Sequence, residues 1–210
     1  MWEKFFSQMR NHPKEILKDL SKRERYKSLR TVPIPRLIFH AFSFFPPEKT
    51  KVVIVCKEPY WIEGLAMGLA YGVPTDCNTP LSLKNIFKEQ QKDIGSVPKK
   101  HLEQWAEQGV LLLNLALTVK ARRPGSDIEY WRTCTEELIT KLSDLKENIV
   151  FFLWGKLAKT KEHLISRVGN HLVLKAGDPD DFILEDWDGD CPFSKANDFL
   201  KSKNITAINW

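Results

Sequence analysis

Several features are scarce in this chain, and each scarcity excludes a class of protein. No apolar run approaches the roughly 20 residues a membrane-spanning helix needs, so no membrane partner is expected. Met1, Trp2, Glu3 and Lys4 lead into Phe5 and Phe6 but not into a sustained apolar stretch, so no secretory leader is expected either. The four cysteines, Cys56, Cys77, Cys134 and Cys191, form no CxxC pair, and no histidine follows them at ligand spacing. That pattern argues against a zinc site and against a disulfide framework. Reduced thiols in a cytoplasmic protein, without metal or cofactor, are the expectation. Internal repeats and low-complexity segments are absent. Charge of one sign is also in short supply: 32 Lys+Arg stand against 27 Asp+Glu, a net +5. That excess permits a nucleic-acid partner without demanding one, since an ordinary wet surface reads the same way.

What is present suits one globular domain. A chain of 210 residues, 42% hydrophobic, can bury a core that needs no staples. The first 48 residues read as a helical segment packed on that domain. Leu17, Leu20 and Tyr26 mark its buried stripe, and Lys18, Lys22, Arg23 and Arg25 its wet side. Pro33 and Pro35 end that region, and Pro46-Pro47 marks a turn. Four short apolar runs follow, at 51–56, 110–114, 149–154 and 172–174. Three are almost continuously apolar, the pattern of strands covered on both faces. Helical patterns lie between and after them, near 83–91, 101–108, 128–145, 157–168 and 194–203. Alternating strands and helices predict an α/β fold with a central four-stranded parallel sheet between helical layers.

The first run ends in a polar loop carrying Glu58. The carboxyl ends of parallel strands open onto the crevice where α/β proteins place their ligands, so a lone carboxylate there is a candidate catalytic group. Asn114 closes the second run. Its amide offers one acceptor oxygen and two donor hydrogens, and taken alone it reads as a strand-end cap. Tyr71, taken alone, reads as a core aromatic.

Several segments in one order resemble a single family. Lys51-Val52-Val53-Ile54 leading to Glu58-Pro59-Tyr60, then Gly68-Leu69-Ala70-Tyr71, Pro80-Leu81-Ser82-Leu83-Lys84-Asn85, Trp105 through Asn114 with Leu117-Thr118-Val119, Leu153-Trp154-Gly155 and Phe193-Ser194-Lys195-Ala196-Asn197 are similar to family 1 uracil-DNA glycosylases. The resemblance covers nearly the whole chain. It implies a DNA partner, single- or double-stranded, and a monomer that flips a base out and cuts its glycosidic bond. Asn114 would read the base, Tyr71 would stack on it and Tyr60 would exclude a methyl at C5. Ser82, Lys84, Asp180, Phe182 and Ser194 would face the DNA.

The departures fall on the chemistry. The family has Gln-Asp-Pro-Tyr-His where this chain has Lys57-Glu58-Pro59-Tyr60-Trp61. Glu58 keeps a carboxylate with one more methylene, and about 1 Å of misplacement can cost about 10²-fold in rate. The family's His-Pro-Ser-Pro-Leu loop is Asp178-Pro179-Asp180-Asp181-Phe182, and none of His12, His40, His101, His163 or His171 replaces the lost imidazole. An ionised Asp178 can only accept hydrogen bonds and would repel a departing uracil anion. Two repairs are open. Lys57 can carry the missing positive charge as an oxyanion clamp, or Asp178 can be protonated by burial among carboxylates. Protonation suits a cytosine-type base, which leaves better as a protonated species.

Acidic residues crowd this loop: Asp178, Asp180, Asp181, Glu185, Asp186, Asp188 and Asp190. They read as a solvated turn or as a mouth that hydrogen-bonds a polar adduct. Phe182, Ile183 and Leu184 offer a wedge for a gap in the duplex. Trp61 and Met67 either reshape the pocket wall or fill core. The expectation is a DNA glycosylase with Glu58, Lys57 and Asp178 as catalytic groups, acting on a modified pyrimidine such as the hydroxymethylated or glucosylated cytosines of phage DNA. The alternatives are a uracil enzyme of repair and an inactive module that kept the fold.

Overall fold

The computed structural model describes residues 1–24, 30–96, 101–180 and 192–210. Its centre is a four-stranded, all-parallel sheet of β2 (Val52–Cys56), β3 (Val110–Asn114), β5 (Val150–Trp154) and β6 (Leu172–Ala176), in the order β3-β2-β5-β6. β2, β3 and β5 are buried along their whole length. Their VVIVC, VLLLN and VFFLW sequences carry no polar alternation because helical layers cover both faces. β6 is one of the two edge strands, mostly half-buried before Ala176, and it admits the exposed Lys175.

The register aligns the strand ends. Cys56 pairs with Asn114, Leu153 with Val55, and Trp154 with Ala176. The carboxyl ends of all four strands therefore open on one edge, with Glu58 two residues beyond one strand and Asp178 two beyond another.

A second, two-stranded ladder joins β1 (Thr31–Val32) to β4 (Val119–Lys120), antiparallel. Lys120 Nζ donates to Thr31 Oγ1 at 2.7 Å and the Ala121 N–H to the Arg30 carbonyl at 2.8 Å. This ties the N-terminal segment to the loop after β3.

That segment holds α1 (Glu3–Ser7) and α2 (Pro13–Glu24). On α2, Leu20 is buried, Leu17 half-buried, and Lys18 and Lys22 face water. Arg25 and Tyr26 lie outside the described residues. Trp2, Phe5, Phe6, Phe42 and Phe45 form an aromatic cluster within the main core. The remaining helices are α3 (Leu81–Ile94), α4 (Glu103–Ala106), α5 (Ile128–Leu145), α6 (Lys156–Lys159) and α7 (Pro192–Ser202).

Two helical expectations shrink. The pattern at 101–108 yields only the single turn of α4 before Gly109, at φ +99°, redirects the chain into β3. The pattern at 157–168 breaks into α6 and a 3-10 turn at Glu162–Leu164. Thr160 Oγ1 donates to the Leu157 carbonyl at 2.6 Å and His163 Nδ1 sits 2.7 Å from the Thr160 carbonyl. Side chains thus compete for the carbonyls a continuous helix would use. The segment at 172–174 extends to Ala176.

Candidate active site

A cavity of about 270 Å³ opens at the carboxyl edge of the sheet. Its floor and near wall come from the β2 end, with Cys56, Lys57, Glu58, Pro59, Tyr60 and Trp61. Tyr71, Pro124, Asp178 and Asp180 complete the lining. Residues distant in sequence are thus gathered at one strand edge, from the loops that follow β2, β4 and β6.

Glu58 is the most tightly held of them. Its side chain is 8% exposed, Oε2 accepts the Gly125 N–H at 2.7 Å, and Oε1 lies 3.2 Å from Lys57 Nζ. Each oxygen keeps a further lone pair. Lys57 remains 45% exposed on the same side. The Gly125 loop is braced in turn: Ser126 Oγ accepts the Lys120 N–H at 2.8 Å and the Trp61 carbonyl accepts the Arg122 N–H at 2.9 Å.

Tyr60 and Ser82 share a hydrogen bond of 2.7 Å. Burial pushes the Tyr60 phenol well above its ordinary range, with Ser82 opposing that push, so it is a neutral hydroxyl in the pocket wall. Tyr71 sits at φ +60°, an unusual backbone state for a bulky residue. Its ring centroid is 5.9 Å from that of Trp154 at the end of β5, and its hydroxyl pairs with the Cys56 thiol. Burial raises both groups well above their usual values, so neither ionises near neutrality.

Asn114, beside Cys56, is 4% exposed, and its Oδ1 is buried with no hydrogen-bond partner. It stands at the same strand edge although it is not among the residues that line the cavity. Asp178 Oδ1 accepts the Asp180 N–H at 3.0 Å, and the carboxylate packs against Gly155, where a Cβ would come within 3.0 Å of Oδ2. Asp180 itself is exposed.

The other expected DNA-facing residues are more scattered. Ser82 is fully buried in the first turn of α3 with its hydroxyl on Tyr60, whereas Lys84 is exposed one residue past Leu83. The Phe193 and Ser194 N–H groups at the start of α7 are both taken by Asp93 Oδ2, at 2.8 and 2.9 Å. Phe182 lies outside the described residues, as do Asp181, Ile183, Leu184, Glu185, Asp186, Asp188, Asp190 and Cys191.

Sequence reasoning missed three supports. Pro124 and Gly125 supply a wall and the Glu58 contact; the Pro-Gly pair signals a turn but not its partner. Asn85 Nδ2 donates to the Pro179 carbonyl at 2.9 Å, tying α3 to the Asp178 loop. Among the described residues no group of His, Cys, Asp or Glu is arranged to hold a metal ion, and no helix is long and apolar enough to cross a membrane.

Comparison with known proteins gives a consistent picture. The model of the "Uracil DNA glycosylase superfamily" matches residues 42–201. A uracil-DNA glycosylase of Campylobacter jejuni subsp. doylei is 44% identical over 181 residues, 85% of this chain and 78% of that protein. One from Amoebophilus asiaticus is 41% identical over 214 aligned positions, covering 100% of this chain and 96% of that protein. Among solved structures, the mimivirus uracil-DNA glycosylase superposes with a TM-score of 0.87 at 27% identity, over 99% of this chain and 83% of that one.

Proposed function

The chain belongs to the uracil DNA glycosylase superfamily, and from that membership we propose that it flips a pyrimidine out of DNA and hydrolyses its N-glycosidic bond. The observation that carries this reading is the buried, unpartnered Oδ1 of Asn114 beside a pocket that holds Glu58. A buried acceptor without a donor costs about 1–3 kcal/mol, a cost that a flipped base removes by offering an N–H. An inactive module would have no use for that orphan acceptor.

In this reading Tyr71 stacks under the base and Asn114 pairs with its Watson–Crick edge. Glu58, fixed by Gly125 and Lys57, orients a water and takes its proton as the water oxygen bonds to the anomeric carbon. The glycosidic electron pair leaves with the base. The Lys57 ammonium stabilises that developing negative charge in place of the family's imidazole. Lys84 and the free N–H groups of the first turn of α3 meet the phosphates. The protein acts as a cytoplasmic monomer without metal or cofactor. Among the described residues Cys56, Cys77 and Cys134 take part in no disulfide.

The base we favour is a modified cytosine, of the hydroxymethylated or glucosylated kind found in phage DNA, which makes the activity a defence against phage. Asp178 and Asp180 share the pocket with Glu58, and acceptors of this number suit a ligand rich in amino and hydroxyl donors. Uracil is the second reading. Tyr60, held by Ser82, keeps its place in the pocket wall and weighs against bulk at C5, and the relatives named above are uracil-DNA glycosylases.

Excision assays on oligonucleotides carrying uracil, 5-hydroxymethylcytosine or its glucosylated form separate the two. Abasic sites are expected on the modified DNA, and Glu58→Gln should lower their yield by about 10²-fold or more. Fast uracil release with none from modified cytosine would overturn the preferred substrate. No abasic product on any of the three, with DNA binding intact, would overturn the glycosylase itself.

A further inference from the structure

The acidic residue that opens α5 is turned away from its own helix. An Asp at a helix N-cap ordinarily accepts an N–H of the first turn. Asp127 makes no such bond, and its Oδ2 instead accepts the Thr118 hydroxyl at 2.7 Å. Thr118 Oγ1 in turn accepts the Trp131 Nε1–H at 2.7 Å. All three residues are at most 1% exposed. Polar groups this deep persist only when they are hydrogen-bonded, and the positive end of α5 favours a carboxylate there.

This buried clamp closes a loop. Thr118 and Asp127 stand nine residues apart and bracket the turn that carries Pro124 and Gly125. Pro124 lines the pocket, and the Gly125 N–H reaches Glu58 Oε2 at 2.7 Å. Packing does little to place Gly125: a Cβ there would meet, among the described residues, only Ile128 Cδ1 at 3.9 Å. Hydrogen bonds have to place it instead. One is the Lys120 N–H on Ser126 Oγ, and the other is the clamp. Helix α5 gives the clamp a firm base. Thr135 Oγ1 donates to the Leu115 carbonyl at 2.9 Å, and the Leu115 and Ala116 N–H groups donate to the Cys56 and Lys57 carbonyls at 2.8 and 3.0 Å. A continuous path thus runs from Asp127 through α5 to the backbone just before Glu58.

We propose that Asp127 is a positioning residue: through Thr118 and Trp131 it holds the Gly125 N–H where that group fixes the Glu58 carboxylate for its work on the water. The proposal deepens the glycosylase reading and rests on it for the role of Glu58. A glutamate has one more side-chain torsion than an aspartate, so its carboxylate needs one more restraint. A displacement of about 1 Å at the reacting group is enough to cost about 10²-fold in rate.

Excision kinetics on the uracil and modified-cytosine oligonucleotides, with Asp127→Ala placed in both the wild-type and the Glu58→Gln backgrounds, test this. In wild type the substitution should lower kcat by about 10- to 100-fold and leave KM nearly unchanged. In Glu58→Gln it should cost less than about twofold, because two residues that act through one group are not additive. Asp127→Asn keeps an acceptor for Thr118 and should restore most of the rate. Asp127→Ser still caps α5 but is too short to reach Thr118; it should behave as the alanine variant does and carries the test if that variant fails to fold. A second readout needs no excision. In ¹H–¹⁵N spectra of the protein without DNA, the Gly125 amide should move toward its Glu58→Gln position in Asp127→Ala or Asp127→Ser, and stay in place in Asp127→Asn. Equal rate losses in the two backgrounds, or a Gly125 amide that does not respond, would overturn the positioning role. If the amide responds as expected while the wild type excises no base, the glycosylase reading fails and the coupling of Asp127 to Glu58 stands.

Discussion

At the scale of single residues, the site is defined by what is left unsatisfied. Buried polar atoms in folded proteins nearly always find partners, and one without a partner beside the pocket suits the proposed contact with a base. Asn114 Oδ1 is such an atom. Removing it separates function from stability. Asn114→Ala should cut excision on the order of 10²-fold, the size of a lost contact in a desolvated site. Its melting temperature should hold or rise, because the variant also removes an uncompensated acceptor worth about 1–3 kcal/mol. Thermal unfolding beside excision kinetics checks both halves. A fall in both would make Asn114 a structural cap, the other reading its position allowed.

At the scale of elements, the loop between β2 and α3 has to deliver Tyr60 and Tyr71 to one pocket, and it does so by a close approach. Gly68, at φ +75°, leaves no space for a side chain: a Cβ there would come within 1.7 Å of the Leu37 carbonyl oxygen. The same carbonyl-to-backbone contact is fastened by the Ala41 N–H on the Gly68 carbonyl at 3.2 Å and by His40 Nδ1, 3.0 Å from the Met67 carbonyl. Gly68→Ala should therefore destabilise the fold by roughly 2–4 kcal/mol, combining left-handed strain with displacement of backbone. Urea unfolding reads that loss, and a change below about 0.5 kcal/mol would contradict the close approach.

The same scale explains what the sequence discloses. β2, β3 and β5 are legible because burial on both faces makes them unbroken apolar runs, and α5 is legible because its 18 residues repeat the helical period many times. Two-residue strands such as β1 and β4 have no period to detect. The break after α6 depends on Thr160 and His163 choosing local carbonyls. Within the site, Lys57, Glu58, Tyr60 and Tyr71 are legible because one loop carries them all. The Glu58–Gly125 and Asn85–Pro179 contacts span 67 and 94 residues and exist only once the sheet has formed.

At the scale of the whole molecule, one apolar cluster runs from Trp2 through β2, β3 and β5 to Trp210. Stability of such a unit responds to pH through any group that titrates differently in the folded state. His171, at the start of β6, is the clearest case near neutrality. Nδ1 accepts the Ile149 N–H at 3.1 Å, so Nε2 carries the proton and donates to the Ser143 carbonyl at 3.0 Å. The ring also packs edge-on to Phe151, 5.3 Å between centroids. Burial lowers its pKa below 6.5, against the weaker upward pull of the Ser143 carbonyl and of Asp144 and Glu147, while the Ile149 N–H on Nδ1 favours the neutral ring. Above about pH 6.5 the ring is neutral in both states and its full contribution is present. As pH falls below that value the unfolded chain takes up a proton first, and stability drops until the folded pKa is passed. Glu137, held below its ordinary range by the Asn11 and Arg10 N–H groups against the push of burial, loses its contribution only in the lower, carboxylate window. Urea unfolding of wild type and His171→Gln from pH 7.5 to 5 should therefore show a steeper acid loss in wild type over the histidine window, with parallel curves below it. Equal slopes throughout would mean that His171 titrates in the fold as it does in water.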